Sequence, residues 1–307
     1  MIIESRAPVR IDFAGGWTDV KYFAHPFGGA TTNAAINHYV TGRTVIGGSS
    51  PNPQSAIANP QLKEGISVTY ETDIPAGSGL GTSSALNVVW LSLASGKGPQ
   101  TDEERGRIAE QAYEVETVLG IIGGKQDQYA AAYGGFHLFE FEENSVKAIP
   151  IAITSNRIAE LEGLLTLCYT GQARLSSNLH ETVWGGFRRG KREVMESLFT
   201  LRDSAYKAKD ILEAGNFDQL GPLLDLQPHC AKGLDSSLTN DLVEGIFNLV
   251  RPNIHGGKCC GAGGGCMVFI SESPTKQQLV AQKLHDNHIR VIDFKFALDG
   301  LTVIHHD

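Results

Sequence analysis

The chain has 307 residues, 41% hydrophobic and 20% charged, which is enough to bury a sizeable core in one large or two medium domains. A formal net charge of −8 argues against a broad nucleic-acid-binding or anionic-membrane surface, and no apolar run approaches the roughly 20 residues of a membrane helix. Met1 leads straight into IIESRAPVRI without a signal-peptide pattern, so the cytoplasm is the expected compartment.

Taken in chain order, VRIDFA and HYVTGRTVI alternate with glycine-rich turns and read as β-structure, as does ISVTYETDI at 66–74. That strand feeds IPAGSGLGTSSAL at 74–86. Glycines this dense let backbone N–H groups converge where no Cβ intrudes, and a helix starting at the hydroxyls aims its positive end at the same point, so the segment reads as a phosphate loop. It is neither a GxxxxGK[ST] loop nor a dinucleotide fingerprint, since Thr82 stands where the latter needs its third glycine. A nucleotide-dependent oxidoreductase is disfavoured accordingly.

The stretch SSALNVVWLSLASG is apolar nearly all round and suits a buried helix ending at Gly96, with Ser83 as a helix cap. A second helix is announced by Thr101 and Asp102, carries Ile108, Ala112, Val115 and Leu119 on its buried face, and ends near Gly120. Glu116 is anomalous in it, being a carboxylate in the last turn, where the helix dipole disfavours negative charge; a nearby cation would remove that penalty. GGKQDQY then puts Asp127 just after a glycine turn, suited to accept a hydroxyl proton or orient the hydroxyl for in-line attack.

Strands follow at FHLFEFE, VKAIPIA and LLTLCYTG, helices over 176–250, and a second glycine-rich turn at KCCGAGGGCMVFI that leads into a strand. The closing VIDFKFALDGLTVIHH reads as β-structure, with His305 and His306 as a solvated tail. Five cysteines, two of them adjacent, make no disulfide framework, and neither HExxH nor CxxC occurs to suggest zinc.

RAPVRIDFAGGWTD, IPAGSGLGTSSAL and HGGKCCGAGGGCMVFI together resemble, in order and spacing, the three motifs of the GHMP kinases. The resemblance covers essentially the whole chain and implies an α+β two-lobed fold. That fold would comprise an N-terminal ribosomal-S5-like lobe over 1–160 and a C-terminal ferredoxin-like α/β lobe over 161–307. It implies that Pro75, Gly77, Ser78, Gly79, Leu80, Gly81, Thr82, Ser83 and Ser84 wrap the phosphates of ATP, and that Ser84 and Glu116 hold Mg²⁺. Asp127 would be the catalytic carboxylate, with Arg10 beside it and the reacting oxygen. Gly16, Trp17, Thr18 and Asp19 would meet the substrate, as would Gly261, Gly263 and Gly264 of the third motif. The chain departs from the usual pattern at Trp17 and Cys266, where glycine is common.

Within the family, RAPVRIDFAGGWTDV, GGKQDQYAAAYGGFHLFEF and YTGQARLSSN are most similar to the branch that phosphorylates the anomeric hydroxyl of sugars, including heptose 7-phosphate kinases and fucokinases. The implied partner is a small sugar or sugar phosphate, with no nucleic acid and no membrane, for a monomer or homodimer. A distal phosphate calls for arginine forks, for which Arg43, Arg174, Arg188, Arg189, Lys191 and Arg192 are candidates. The alternatives are a free-sugar kinase and a catalytically silent relative kept as a binding module.

Overall fold

The computed structural model describes residues 1–46, 56–57, 66–75, 77–172, 176–261 and 265–306. Two antiparallel sheets organise them. The first begins with β1 (Ile2–Ala14), followed by helix α1 (Lys21–Phe27), the long β2 (Gly29–Ile46), the two-residue β3 (Ala56–Ile57) and β4 (Ile66–Thr72). Helices α2 (Thr82–Ser95), α3 (Asp102–Val118) and α4 (Gln126–Tyr133) come next, then the hairpin β5 (Phe136–Phe141) and β6 (Val146–Pro150). β2 is long enough to serve two neighbours on one side: residues 40–46 pair with β4 and residues 29–34 with β5, while β1 lies along the other side. The β1–β2 register shifts twice: between Pro8 and Val9, where β2 holds the extra residues, and between Asp12 and Ala14, where β1 holds one extra residue close to the functional site.

The second sheet opens with β7 (Leu165–Tyr169), which follows α5 (Ser155–Leu164). Its other parts are the helices α6 (Ser176–Arg188), α7 (Arg192–Ala214), α8 (Leu220–Leu234) and α9 (Asp241–Val250), the strands β8 (Gly256–Cys259) and β9 (Cys266–Ile270), α10 (Pro274–Asp286) and β10 (Arg290–Ile292). Its strand order is β10-β7-β9-β8. Apolar side chains of α9 and α10, among them Phe247, Val250, Val280 and Leu284, pack on Cys168, Met267 and Phe269 of its strands. The last strand, β11 (Thr302–His306), returns to the first sheet as the antiparallel edge neighbour of β1. His305 and His306 are exposed as expected, but they belong to a strand and not to a tail: they pair with Ile3 and Ile2, and His305 Nε2 lies 3.0 Å from the Gly96 carbonyl. The closing segment, expected as β-structure, contributes two short strands, β10 and β11, to different sheets.

The local signals are largely met. α2 ends at Gly96, whose left-handed φ of 64° suits glycine. Thr101 caps α3 by accepting from the Glu104 N–H at 3.2 Å. Two expectations need correction. Leu119 does not share the buried face of α3 but is 69% exposed. The buried stripe is Ala109, Ala112 and Glu116, rotated by about one residue because Glu116 turns inward to partners on α2. Ser83 does not cap α2 either: the N-cap is Gly81, in left-handed conformation at φ 83°, with no side chain accepting from the first turn. Among the described residues the first N–H groups of this helix thus have no side-chain cap, and a helix start of this kind suits an anion.

Candidate active site

Both glycine-rich segments, β1, and the starts of α2 and α4 meet at a cavity of about 360 Å³. Gly79 adopts φ 80°, and a Cβ there would lie 2.2 Å from the Cys260 carbonyl oxygen. A Cβ at Gly265 would stand 2.3 Å from the Gly77 carbonyl oxygen. The two loops thus lie backbone against backbone, which only residues without Cβ atoms permit. Gly77, Ser78, Gly79, Gly81, Thr82, Ser83 and Ser84 line the cavity. Pro75 and Leu80 do not; they frame the loop, Pro75 through its carbonyl to the Ser78 N–H at 3.3 Å and Leu80 as a fully buried core residue.

Side chains two apart on a strand share a face, so β1 presents Arg10 and Asp12 together. Arg10 is 2% exposed. It donates from Nε and Nη2 to Asp127 Oδ1 at 2.9 and 2.5 Å, and from Nη1 to the Gly79 carbonyl at 2.6 Å. Burial alone would lower its pKa, but the carboxylates of Asp127 and Asp12 outweigh burial and hold it raised. Asp127 sits in the first turn of α4, where the dipole favours a carboxylate. Both Arg10 donations reach Oδ1, so Oδ2 is not taken up by the guanidinium.

Asp19 is buried at the same cavity and accepts the Gln126 N–H at 3.0 Å. Burial pushes its carboxyl up to about 6, against the pull of that N–H, and the nearby Asp127 adds to the rise. A Cβ at Gly124 would fall 1.8 Å from Asp19 Oδ2, so the glycine turn before α4 is what lets this carboxylate in. Glu116 Oε1 accepts from Ser84 Oγ at 2.8 Å and Asn87 Nδ2 at 3.1 Å. Burial raises its pKa too, countered in part by the Ser84 hydrogen bond.

Sequence reasoning missed the pair that ties the lobes together. Lys258 of β8 and Asp12 are both fully buried; Lys258 Nζ donates to Asp12 Oδ2 and, at 2.7 Å, to the Asp12 backbone carbonyl. Asp12 Oδ1 also accepts the Gly261 N–H at 3.3 Å, anchoring the second glycine loop to β1. The available signal was Asp12 at two residues from Arg10, together with a lone lysine heading the third motif. His180 and Gln126, also at the cavity, carried no signal.

The chain is 30% identical to the D-glycero-alpha-D-manno-heptose 7-phosphate kinase of Campylobacter jejuni over 97% of this chain and 98% of that protein. The GHMP kinases N terminal domain matches residues 54–135. The chain belongs to the GHMP kinase family. A D-glycero-D-manno-heptose 1-phosphate kinase structure from Bacteroides thetaiotaomicron superposes with a TM-score of 0.74 at 26% identity, covering 99% of each chain. The bifunctional fucokinase/GDP-fucose pyrophosphorylase of Arabidopsis thaliana is 24% identical over 91% of this chain, which spans 31% of that longer protein. The α+β two-lobed GHMP fold expected from the motifs is the fold the chain has.

Relative to the three GHMP motifs, the remaining expected residues fall as follows. Gly16, Trp17, Asp19 and Gly261 line the cavity. Thr18 does not: its hydroxyl donates to the Gly15 and Ala30 carbonyls at 2.8 and 2.9 Å and accepts the Ala30 N–H at 3.0 Å. Gly263 and Gly264 lie outside the described residues, as does Arg174. None of the other proposed distal-phosphate cations lines the cavity. Arg43 pairs with Glu4, Arg188 covers the Tyr22 ring and Arg192 pairs with Glu196. Cys266 is buried on β9, and burial pushes its thiol up to about 12, which leaves it inert at neutral pH. No helix among the described residues is long and apolar enough to cross a membrane.

The charge balance bears on the ion that the GHMP motifs imply. Arg10 neutralises Asp127 and Lys258 neutralises Asp12, leaving Asp19 and Glu116 as surplus buried carboxylates. A buried carboxylate beside a hydroxyl oxygen, as at Glu116 and Ser84, is an oxygen donor set that fits a hard divalent cation.

Proposed function

We propose that this GHMP kinase transfers the γ-phosphoryl group of ATP to the anomeric hydroxyl of a sugar phosphate of the D-glycero-D-manno-heptose 7-phosphate class. The observation that carries this reading is Asp127, pinned by Arg10 through one oxygen, at the cavity that the uncapped start of α2 also enters. The 77–84 segment cradles the phosphates with backbone N–H groups and the hydroxyls of Ser78, Thr82 and Ser83. Ser84 and Glu116 would hold Mg²⁺, which when bound offsets phosphate charge. Asp127 Oδ2 orients the acceptor hydroxyl and takes its proton late, as a loose phosphoryl-transfer transition state requires. Arg10 keeps that carboxylate in register and places positive charge beside the reacting oxygens. Asp19 accepts from other acceptor hydroxyls, with Gly16, Trp17 and the loop carrying Gly261, Gly263 and Gly264 closing around the sugar. Thr18 serves the frame. In this reading the two lobes meet near residue 160, and the protein works in the cytoplasm as a monomer or homodimer.

A free-sugar acceptor is favoured by one observation: among the described residues lining the cavity, Arg10 is the one guanidinium, and Asp127 already engages it. ADP release measured against D-glycero-D-manno-heptose 7-phosphate, the unphosphorylated heptose, L-fucose and D-galactose separates the readings. The heptose 7-phosphate is expected to exceed the others in kcat/KM by at least about tenfold, since a site built for a polar group rejects the analogue lacking it. Equal values for heptose and its phosphate move the assignment to a free-sugar kinase. No ADP release with any of them leaves a binding module.

Asp19 adds a pH signature. Its carboxyl, raised to about 6, accepts most strongly from the sugar when ionised, with both oxygens as acceptors, so acceptor kcat/KM falls as pH drops through about 6 and is flat above. Asp19→Asn is expected to lower kcat/KM and remove that acidic limb. A limb unchanged in the variant assigns the titration elsewhere.

A further inference from the structure

Trp17 has backbone φ 80°, a region that L side chains rarely adopt, yet it carries the largest side chain and is only 6% exposed. Such strain persists where the surroundings over-determine it, and it concentrates at functional sites. The surroundings here are specific. The indole packs on the His180 ring with centroids 4.6 Å apart. His180 is in turn held by Trp184 Nε1, which donates to its Nδ1 at 3.2 Å. An indole N–H is only a donor, so Nδ1 is the acceptor and the ring proton sits on Nε2. Burial lowers the imidazole pKa to about 4, so the stack keeps one uncharged form at neutral pH. The α6 residues His180 and Trp184 are thus a fixed backstop for Trp17.

A second cavity, of about 220 Å³, lies beyond it. Trp17 and Gly261 line both cavities, so the indole stands in the partition between them. The second cavity is walled largely by apolar groups such as Leu234, Leu238, Val243 and Phe247, and Gln227, whose buried Oε1 has no hydrogen-bond partner among the described residues, also lines it. We infer that Trp17, braced by His180 and Trp184, is the size-determining wall of the acceptor site, limiting how far a sugar extends away from Asp127 and closing off a further polyol subsite floored by Gln227. The inference rests on the proposed sugar acceptor.

The test compares the parent with Trp17→Gly and Trp17→Asn, both compatible with positive φ. Each is measured with ATP and aldose phosphates of six, seven and eight carbons. The ratio of kcat/KM for the eight-carbon to the seven-carbon compound is expected to rise at least about tenfold in Trp17→Gly, the scale on which apolar pockets discriminate single carbons. Added indole, which refills the space, should return that ratio towards the parental value. Trp17→Asn covers the case in which the glycine variant does not fold. A ratio within twofold of the parent in every variant that melts cooperatively and binds ATP overturns the wall. A parent that turns over none of the compounds overturns the proposed acceptor instead. The wall is then judged by ligand-induced melting shifts with the same three compounds, where the variants must gain affinity for the longest.

Discussion

Asp127→Asn is expected to lower kcat by about 10²-fold or more, the range for loss of a positioned acid–base group, with ATP affinity little changed. The substitution keeps the size of the side chain and leaves an oxygen to accept from Arg10 Nε and Nη2, which now reach Oδ1 at 2.9 and 2.5 Å. It removes the basicity and the negative charge that orient the acceptor hydroxyl. Arg10→Met should also reduce kcat. The double variant should lose less than the two free-energy costs combined, because the residues act as one unit. Saturating kinetics on protein of parental melting temperature decide the matter. If Asp127→Asn stays within a few-fold of the parent, proton acceptance belongs to another group, and Asp19, a buried carboxylate at the same cavity with no cation paired to it among the described residues, is the candidate to test next.

The second large effect is on stability and concerns Lys258. Its ammonium group and the Asp12 carboxylate are both fully removed from solvent. Lys258→Met strands the carboxylate with the Gly261 N–H at 3.3 Å and Arg10 Nη1 at 3.8 Å. Removing one partner of a buried ion pair costs about 3–5 kcal/mol, because the remaining charge keeps its desolvation penalty. Lys258→Met should therefore unfold at markedly lower urea concentration with an unchanged m-value. Lys258→Met combined with Asp12→Asn leaves no unpaired charge and should recover a substantial part of the loss. A single variant within about 1 kcal/mol of the parent would show that water or Arg10 compensates Asp12.

Much of this was legible one segment at a time. Glycine spacing over 77–81, the Thr101 cap and the alternation in VRIDF each act over a few residues, so local rules reach them. Motif order sufficed for the family, and Glu116 betrayed itself by standing at the wrong end of a helix dipole. What sequence reasoning got wrong were matters of environment. Leu119 fits the apolar stripe of α3 by spacing, but the helix turns to give Glu116 its Ser84 and Asn87 partners, and a buried carboxylate without them would cost more than an exposed leucine.

The sequence by itself determined the elements, the glycine-rich loops and the set of chemically competent residues, because propensity, capping and backbone freedom are properties of short windows. Only the tertiary structure decided which of those residues share a cavity. It returned β11 to the edge of β1, joined Lys258 to Asp12 across 246 positions of chain, and seated Trp17 against His180 at positive φ. These are contacts between distant segments, and burial then selects them: inside a low-dielectric core each charge must find its counter-charge and each ring its partner, wherever in the chain that partner lies.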